Sequence, residues 1–387
     1  MTKEPLKVGV IGSGGRGEGL GVIAHGLRRK ARIVACCDRD EKALERNRAA
    51  YGPDVFTTAH YRELLARDLD AVIVATPDFL HETHAVAALS LGLSVYLEKP
   101  MAITIEGCDR VLRTAAKHRA RLYLGHNMRH MPFVRKMKEL IGSGAIGEVK
   151  ACWVRHFVGH GGDFYFRDWH AERRFSNGLL LQKAAHDIDV IHWLCGGYSR
   201  LVSAMGALSV YGDVAARLPA VRGARTIARP IKRDVWPPLS QRGLNHRIDV
   251  EDLSQVHMRL DNGVLAQYSQ CHYTPDYWRS YVVIGTEGRL ENFGNGEKGT
   301  RVRLWNRRKR GYDADGDRTY LFRVPSGGHG GSDEKTVGEF VRFAREGGTV
   351  ETSAVAARES VATAVMATAS LRSGGVPLVV PKPPRAC

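Results

Sequence analysis

A chain of 387 residues exceeds one ordinary hydrophobic core, so two domains are expected. Its 43% hydrophobic and 25% charged content is that of a globular protein and excludes a disordered or fibrous one. The net charge of +16 raises nucleic acid as a partner, but Lys and Arg are spread along the whole chain. Only short runs such as Arg307-Arg308-Lys309-Arg310 occur, without a zinc-finger or RNP-type motif, so no nucleic-acid role is expected.

No stretch approaches the roughly 20 apolar residues needed to cross a bilayer. Only residues 1–5 precede the first apolar run, which enters a glycine turn rather than a cleavage site. A cytoplasmic location without membrane contact is the expectation. The seven cysteines form no C-x-x-C pattern, so reduced thiols are expected, with Cys36 and Cys37 in the core.

In chain order, short apolar runs at 6–11, 33–37, 71–75, 95–97 and 122–124 alternate with amphipathic segments at 41–51, 60–66, 82–91 and 105–118. That alternation predicts a parallel sheet wrapped by helices, with strands buried on both faces. A helix at 132–142 then leads into longer alternating strands at 149–157, 202–210, 253–260, 264–272, 281–284 and 289–292. These predict a large open, mostly antiparallel sheet. One strongly apolar helix, 179–193, interrupts it, and helices at 333–345 and 354–373 close the chain. The fold class is therefore α/β, divided as 1–128 and 129–387. Residues 212–245, rich in Arg and Pro and without periodicity, read as an inserted loop or flap.

The first strand runs into Gly12-Ser13-Gly14-Gly15-Arg16-Gly17, a G-x-G-x-x-G pattern that opens a helical stretch. Asp38 ends the next strand, 21 residues beyond Gly17, at the spacing of a Rossmann dinucleotide-binding domain. The glycines let the backbone approach a pyrophosphate, and helix amides meet its charge. Asp38 would bind ribose hydroxyls and repel a 2′-phosphate, which points to NAD. The neighbouring Arg39 keeps NADP open.

Two ordered motifs follow: Thr76-Pro77-Asp78-Phe79-Leu80-His81, then Glu98-Lys99-Pro100. With Gly125-His126-Asn127-Met128-Arg129, the run Ile141–Glu148, Val250-Glu251-Asp252 and Asp261-Asn262-Gly263, they resemble the Gfo/Idh/MocA oxidoreductases along essentially the whole chain. The resemblance implies a Rossmann domain followed by an α/β domain with an open sheet, and assembly as a dimer or tetramer. It implies that Thr76, Pro77 and His81 line the nicotinamide half of the cofactor, with Glu98 and Asn127 in the same set. Lys99 would face the substrate hydroxyl, next to a cis Pro100, and Arg129 would join the substrate set. Independently, hydride removal from a carbinol requires a base for the hydroxyl proton, and a partly desolvated lysine near a nicotinamide cation can serve.

The second constellation lies on the apolar helix. Where the family commonly carries an Asp one turn before a His, this chain has Gln182, then Lys183, with His186 matching the histidine. On a helix these three share a face. His186 then becomes the leading proton shuttle, with Lys99 positioning or assisting. Lys183 is a second acid/base group or a binder of an anionic substituent, and Asp187 and Asp189 are structural or orienting groups. Further pocket candidates are His156, Arg167, Trp169 and His170 after the first long strand. Gln270, His272, Tyr273, Tyr277 and Trp278 stand at the end of another. No H-E-x-x-H or similar ligand run appears, so no metal is expected.

Two activities fit. One is dehydrogenation of a sugar, cyclitol or related polyol. The other is glycoside cleavage in which NAD transiently oxidises a sugar hydroxyl, permits elimination and is restored, on an acidic or sulfonated glycoside.

Overall fold

The computed structural model describes residues 4–159, 164–226, 236–322 and 330–384. The chain opens with β1 (Leu6–Ile11), α1 (Arg16–Gly26), β2 (Ala31–Cys37), α2 (Glu41–Tyr51), β3 (Phe56–Thr58) and α3 (Tyr61–Leu65). It continues through β4 (Ala71–Val74), α4 (His81–Ser90), β5 (Ser94–Leu97), α5 (Ile105–Lys117) and β6 (Leu122–Leu124). Next come α6 (Pro132–Gly142), β7 (Val149–Val158), α7 (Arg173–Ser176), α8 (Leu179–Cys195), β8 (Ser199–Ala207) and β9 (Leu253–Leu260). The remainder is β10 (Leu265–Cys271), β11 (Tyr277–Gly285), β12 (Arg289–Phe293), β13 (Arg301–Trp305), β14 (Arg318–Leu321), α9 (Ser332–Glu346), α10 (Ala354–Arg372) and β15 (Leu378–Val379).

Two compact units result. The first comprises residues 1–130, 325–358 and 383–387, and the second 131–324 and 359–382. Whereas the sequence pattern divides the chain once, near 128, the structure returns 330–358 to the first unit.

The first unit is a six-stranded parallel sheet in the order β3-β2-β1-β4-β5-β6. In its middle, β4 is apolar at every position because helices cover both faces; Val72, Ile73 and Val74 are fully buried. Helices start where side chains satisfy free amides: Asp40 accepts from Lys42 ahead of α2, and Thr104 from Gly107 ahead of α5. Strand order reverses between β1 and β4, which opens a crevice at the carboxyl ends of those two strands.

The second unit is a nine-stranded sheet in the order β14-β13-β12-β11-β7-β10-β9-β8-β15. Among the described residues of this sheet, only the β7–β10 strand pair is parallel; the other strand pairings are antiparallel, as expected from the alternating pattern. Along β7 the side chains alternate: Cys152, Val154, His156 and Val158 are buried, while Trp153 and Arg155 are exposed. The helix α8 packs on β7 and β10 over that inner face. Strand β13, with Arg301 and Arg303 at alternate positions, and the short strands β3, β14 and β15 lie outside the apolar runs read from the sequence. The insertion at 212–245 is no detached flap where it is described. Val214 and Leu244 join Tyr165, Phe166, Leu179 and Tyr211 in one core cluster.

Candidate active site

In the first unit, β1 must reverse into α1 within four residues. Gly12 has φ +81°, and a Cβ there would stand 2.6 Å from the Thr76 amide nitrogen. A Cβ on Gly17 would stand 2.0 Å from the Gly12 carbonyl oxygen, so helix and turn close only on glycine. At Gly15, by contrast, nothing lies within 4 Å of a Cβ position, and the turn opens outward. Beneath it, Asn47 donates to the Ser13 hydroxyl at 2.7 Å. At the end of β2, Asp38 accepts from the Gly14 amide at 2.8 Å and from the Asp40 amide at 3.0 Å. A carboxylate has about four acceptor sites, so Asp38 keeps capacity for hydroxyl donors beside the turn. A cradle that side chains would fill, at the N-terminus of an 11-residue helix, fits a dinucleotide pyrophosphate, and Asp38 fits its ribose. Arg39 is exposed.

Across the crevice, Thr76 and Pro77 follow β4 and are half-buried. The buried His81 ring bridges two carbonyl oxygens, Pro100 at 2.6 Å and Thr76 at 2.8 Å. It thereby ties the end of β4 to the segment after β5, where the Lys99–Pro100 peptide is cis. His84 lies 3.1 Å from the Thr76 hydroxyl, and burial, aided by His81, pushes its pKa down to about 4.

Glu98 is buried. One of its oxygens receives the Arg16 Nε at 2.8 Å, and the other receives the Lys99 backbone N–H at 3.1 Å. The Arg16 guanidinium also forks onto Asp333 at 2.6 and 2.9 Å. Burial alone would lower the Arg16 pKa, but Glu98 and Asp333 outweigh it and hold the group charged. Lys99 itself is half-buried. Asn127 donates to Asp333 at 2.8 Å, while its Oδ1 is buried without a hydrogen-bond partner among the described residues. Arg129 is buried and donates to the Glu351 carbonyl at 2.7 Å.

In the second unit, α8 presents Lys183 and His186 half-exposed, one turn apart, next to the buried Gln182. Immediately after His186, Asp187 is fully buried against the sheet. Its carboxylate receives Arg279 Nε at 3.1 Å, the Tyr268 hydroxyl at 3.2 Å and the Tyr281 hydroxyl, and lies 3.2 Å from His156 Nδ1. Burial would raise the Asp187 pKa, but Arg279 and His156 hold it below the usual carboxylate range. For His156, burial and then Arg279 act against protonation, with a smaller contribution from Lys183, and lower its pKa to about 3. The ring is thus neutral, with Nδ1–H aimed at the carboxylate.

The Lys183 ammonium lies 5.0 Å over the Tyr165 ring. Tyr165 also meets the rings of His170 and His272 edge-on, at 5.2 and 5.5 Å, so it gathers three of the sequence candidates. Trp169 stacks on His170, whose Nδ1 is held by Asp168 at 2.5 Å. Trp169, His170 and His272 are buried, whereas Tyr273 is half-buried and its hydroxyl lies 3.3 Å from Ser209. The Arg167 guanidinium spans the Arg242 carbonyl at 2.6 Å and the Gln241 side chain at 2.7 Å, which anchors the insertion. Asp252 anchors its beginning by accepting the amides of Ser209, Val210 and Tyr211, each at 2.8 Å. Glu251 binds Arg173 and Arg372.

Sequence reasoning missed Tyr165, Asp168, Arg279, Tyr281 and Asp333. For Arg279 and Tyr281 a signal existed: both occupy inward positions of a strand, where a charged or hydroxyl-bearing residue demands a buried partner.

An oxidoreductase family model described as an NAD-binding Rossmann fold, GFO_IDH_MocA, matches residues 6–126, and the GFO/IDH/MocA C-terminal domain matches 134–291. YteT of Bacillus subtilis is 30% identical over 256 residues, 58% of this chain and 60% of its own length. The 2,7-anhydro-N-acetylneuraminate hydratase of Mediterraneibacter gnavus is 33% identical over 201 residues, 51% of each chain. Inositol 2-dehydrogenase of Burkholderia multivorans is 30% identical over 193 residues, covering 49% of this chain and 55% of its own. The chain thus spans about half the length of the curated relatives it matches. Among solved structures, levoglucosan dehydrogenase in complex with NADH and levoglucosan superimposes with a TM-score of 0.79. The alignment covers 98% of this chain and all of that one, at 19% identity, and shows a shared fold.

Proposed function

The chain belongs to the GFO/IDH/MocA oxidoreductase family, with an NAD-binding Rossmann unit, and from that premise we propose that it exchanges a hydride between NAD(H) and a CH–OH group of a sugar, cyclitol or related polyol. The observation that carries the reading is the junction after β5: Glu98 holds the Lys99 amide, and His81 ties the Pro100 carbonyl to Thr76 at the edge of the cofactor crevice. Bound NAD supplies the hydride acceptor. The glycine turn and Asp38 would hold its pyrophosphate and adenosine ribose, and Thr76, Pro77, Glu98 and Asn127 would adjoin its nicotinamide half. Lys99 would position the substrate hydroxyl or take its proton, with His186 as shuttle and Lys183 orienting the substrate from the same strip of α8. His81 acts through the two backbone segments it joins. Within the substrate set, the half-exposed Lys183, His186 and Tyr273 are favoured over the buried Trp169, His170 and His272. Arg129 and Arg167 contribute through the backbone they brace.

A second reading is redox-assisted elimination from a glycoside or anhydrosugar, with net return of the cofactor. It is favoured by Gln182 and Lys183 in place of a carboxylate, and by the relative named as an anhydro-sugar hydratase. Incubation with NAD and a panel of sugars, cyclitols and aryl glycosides separates the two. Net reduced cofactor without cleavage supports the dehydrogenase; cleavage under catalytic NAD without net reduction supports elimination. Lys99→Ala and His186→Ala should each abolish turnover while NADH still binds, and retained turnover would refute these roles.

No helix among the described residues is long and apolar enough to cross a membrane. We further propose a homo-oligomer through the outer face of the second sheet, where Trp153, Met205 and Leu265 are 52%, 70% and 60% exposed. A monomeric mass by light scattering at micromolar concentration would overturn it.

A further inference from the structure

The glycine turn poses a physical problem. Gly12, Gly14, Gly15 and Gly17 give it the shape a pyrophosphate needs, and the same residues give it many competing conformations. Something must hold it in one of them. Asp38 and Asn47 grip Gly14 and Ser13 from one side. On the other side the grip is Arg16, the first residue of α1.

An arginine beside a phosphate cradle suggests a phosphate ligand, but here its bonding is directed elsewhere. Nε goes to Glu98 at 2.8 Å, and both terminal nitrogens fork onto Asp333 at 2.6 and 2.9 Å. A guanidinium held this way is fixed in direction as well as position. Asp333 is 3% exposed and lies in the first turn of α9, 317 positions from Arg16 in the chain. The helix N-terminus favours its ionised form. The same carboxylate receives the Asn127 amide at 2.8 Å and so orients a side chain whose buried Oδ1 has no hydrogen-bond partner among the described residues.

We propose that Asp333 is a positioning residue for the dinucleotide: it sets cofactor affinity by locking Arg16, and with it the glycine turn, while aiming Asn127. The pyrophosphate is then left to the backbone amides. No substrate or catalytic assignment enters this inference.

The test is NADH affinity of the full chain, read by the fluorescence of the bound dinucleotide, alongside the thermal unfolding midpoint. Asp333→Asn keeps the shape and removes the charge; it should weaken NADH binding roughly tenfold or more with little change in the midpoint. Arg16→Gln should do the same. The double variant should bind no worse than the weaker single variant, because both changes break one linkage. Arg16→Lys keeps the charge without the fork and should stay nearer to Arg16→Gln than to the parent. Unchanged NADH affinity in Asp333→Asn, losses that multiply in the double variant, or full affinity in Arg16→Lys would each overturn the proposal. If Asp333→Asn does not fold, Arg16→Gln decides, and an undiminished affinity there overturns it equally.

Discussion

The glycine turn of the first unit and the helix α8 of the second are each held in place, but by opposite means. The turn works through what is missing: side chains at Gly12 and Gly17 would collide with backbone. The helix works through what is buried: Asp187 is gripped by Arg279, Tyr268, Tyr281 and His156, all beneath the surface of the sheet. The turn closes only where Gly12 and Gly17 leave room for backbone, and it fails sharply at one atom. The network is fixed by charges far apart in sequence and fails by leaving one of them alone in a medium of low polarity.

That contrast can be broken at either end. The largest effect is expected from Asp187→Ala, which strands the buried Arg279 guanidinium. A loss of about 3–5 kcal/mol of stability should follow, read by urea unfolding of the second unit's signal. A change under 1 kcal/mol would mean that the network is decorative. Next comes Gly17→Ala, whose methyl would meet the Gly12 carbonyl oxygen at 2.0 Å. NADH affinity should fall by about a hundredfold, roughly 2.7 kcal/mol, with a smaller loss of stability. If cofactor binding survives, the turn tolerates more than its geometry implies.

The third test is pH dependence, where the loss accumulates gradually. His156 titrates near 3 in the folded protein but near its ordinary value of about 6.5 when unfolded. Between those values the unfolded chain binds the extra proton, so stability falls as pH drops from about 6.5 toward 3. The slope approaches about 1.4 kcal/mol per pH unit for that group. Asp187, held below the usual carboxylate range, adds a further decline below about pH 4. His84 acts in the same direction in the first unit down to about 4, so His156→Gln should flatten the decline between pH 6.5 and 4 without abolishing it. An unaltered slope in that variant would show that His156 is not held neutral.

The same contrast explains what the sequence discloses. The cradle, its acidic partner Asp38 and the paired motifs ending at His81 and Pro100 are contiguous, and their function dictates residue type at fixed spacing. They can be read from letters alone, as can the parallel and alternating strand patterns around them. The Asp187 network joins residues from α8, β7, β10 and β11, and no local spacing links them. Arg279 and Tyr281 stand in an alternating strand where only their unusual polarity hints at a partner. Likewise Val250-Glu251-Asp252 is legible as a motif, but its role becomes visible only when Asp252 is seen to collect three amides at the start of the insertion.

The return of α9 to the first unit carries a consequence for how the protein is made. Val337, Phe340 and Val341 lie in one core with Val8, Val10, Tyr96 and Tyr123, and Phe340 packs against both tyrosines. A ribosome delivers residues 1–130 long before it delivers 332–346. During that interval the nascent dinucleotide sheet has six strands and no lid over Tyr96 and Tyr123, and Arg16 has yet to meet Asp333. The dinucleotide unit therefore stays unfinished until α9 emerges, and on the role proposed for Asp333 cofactor capture becomes a check that translation has passed residue 346.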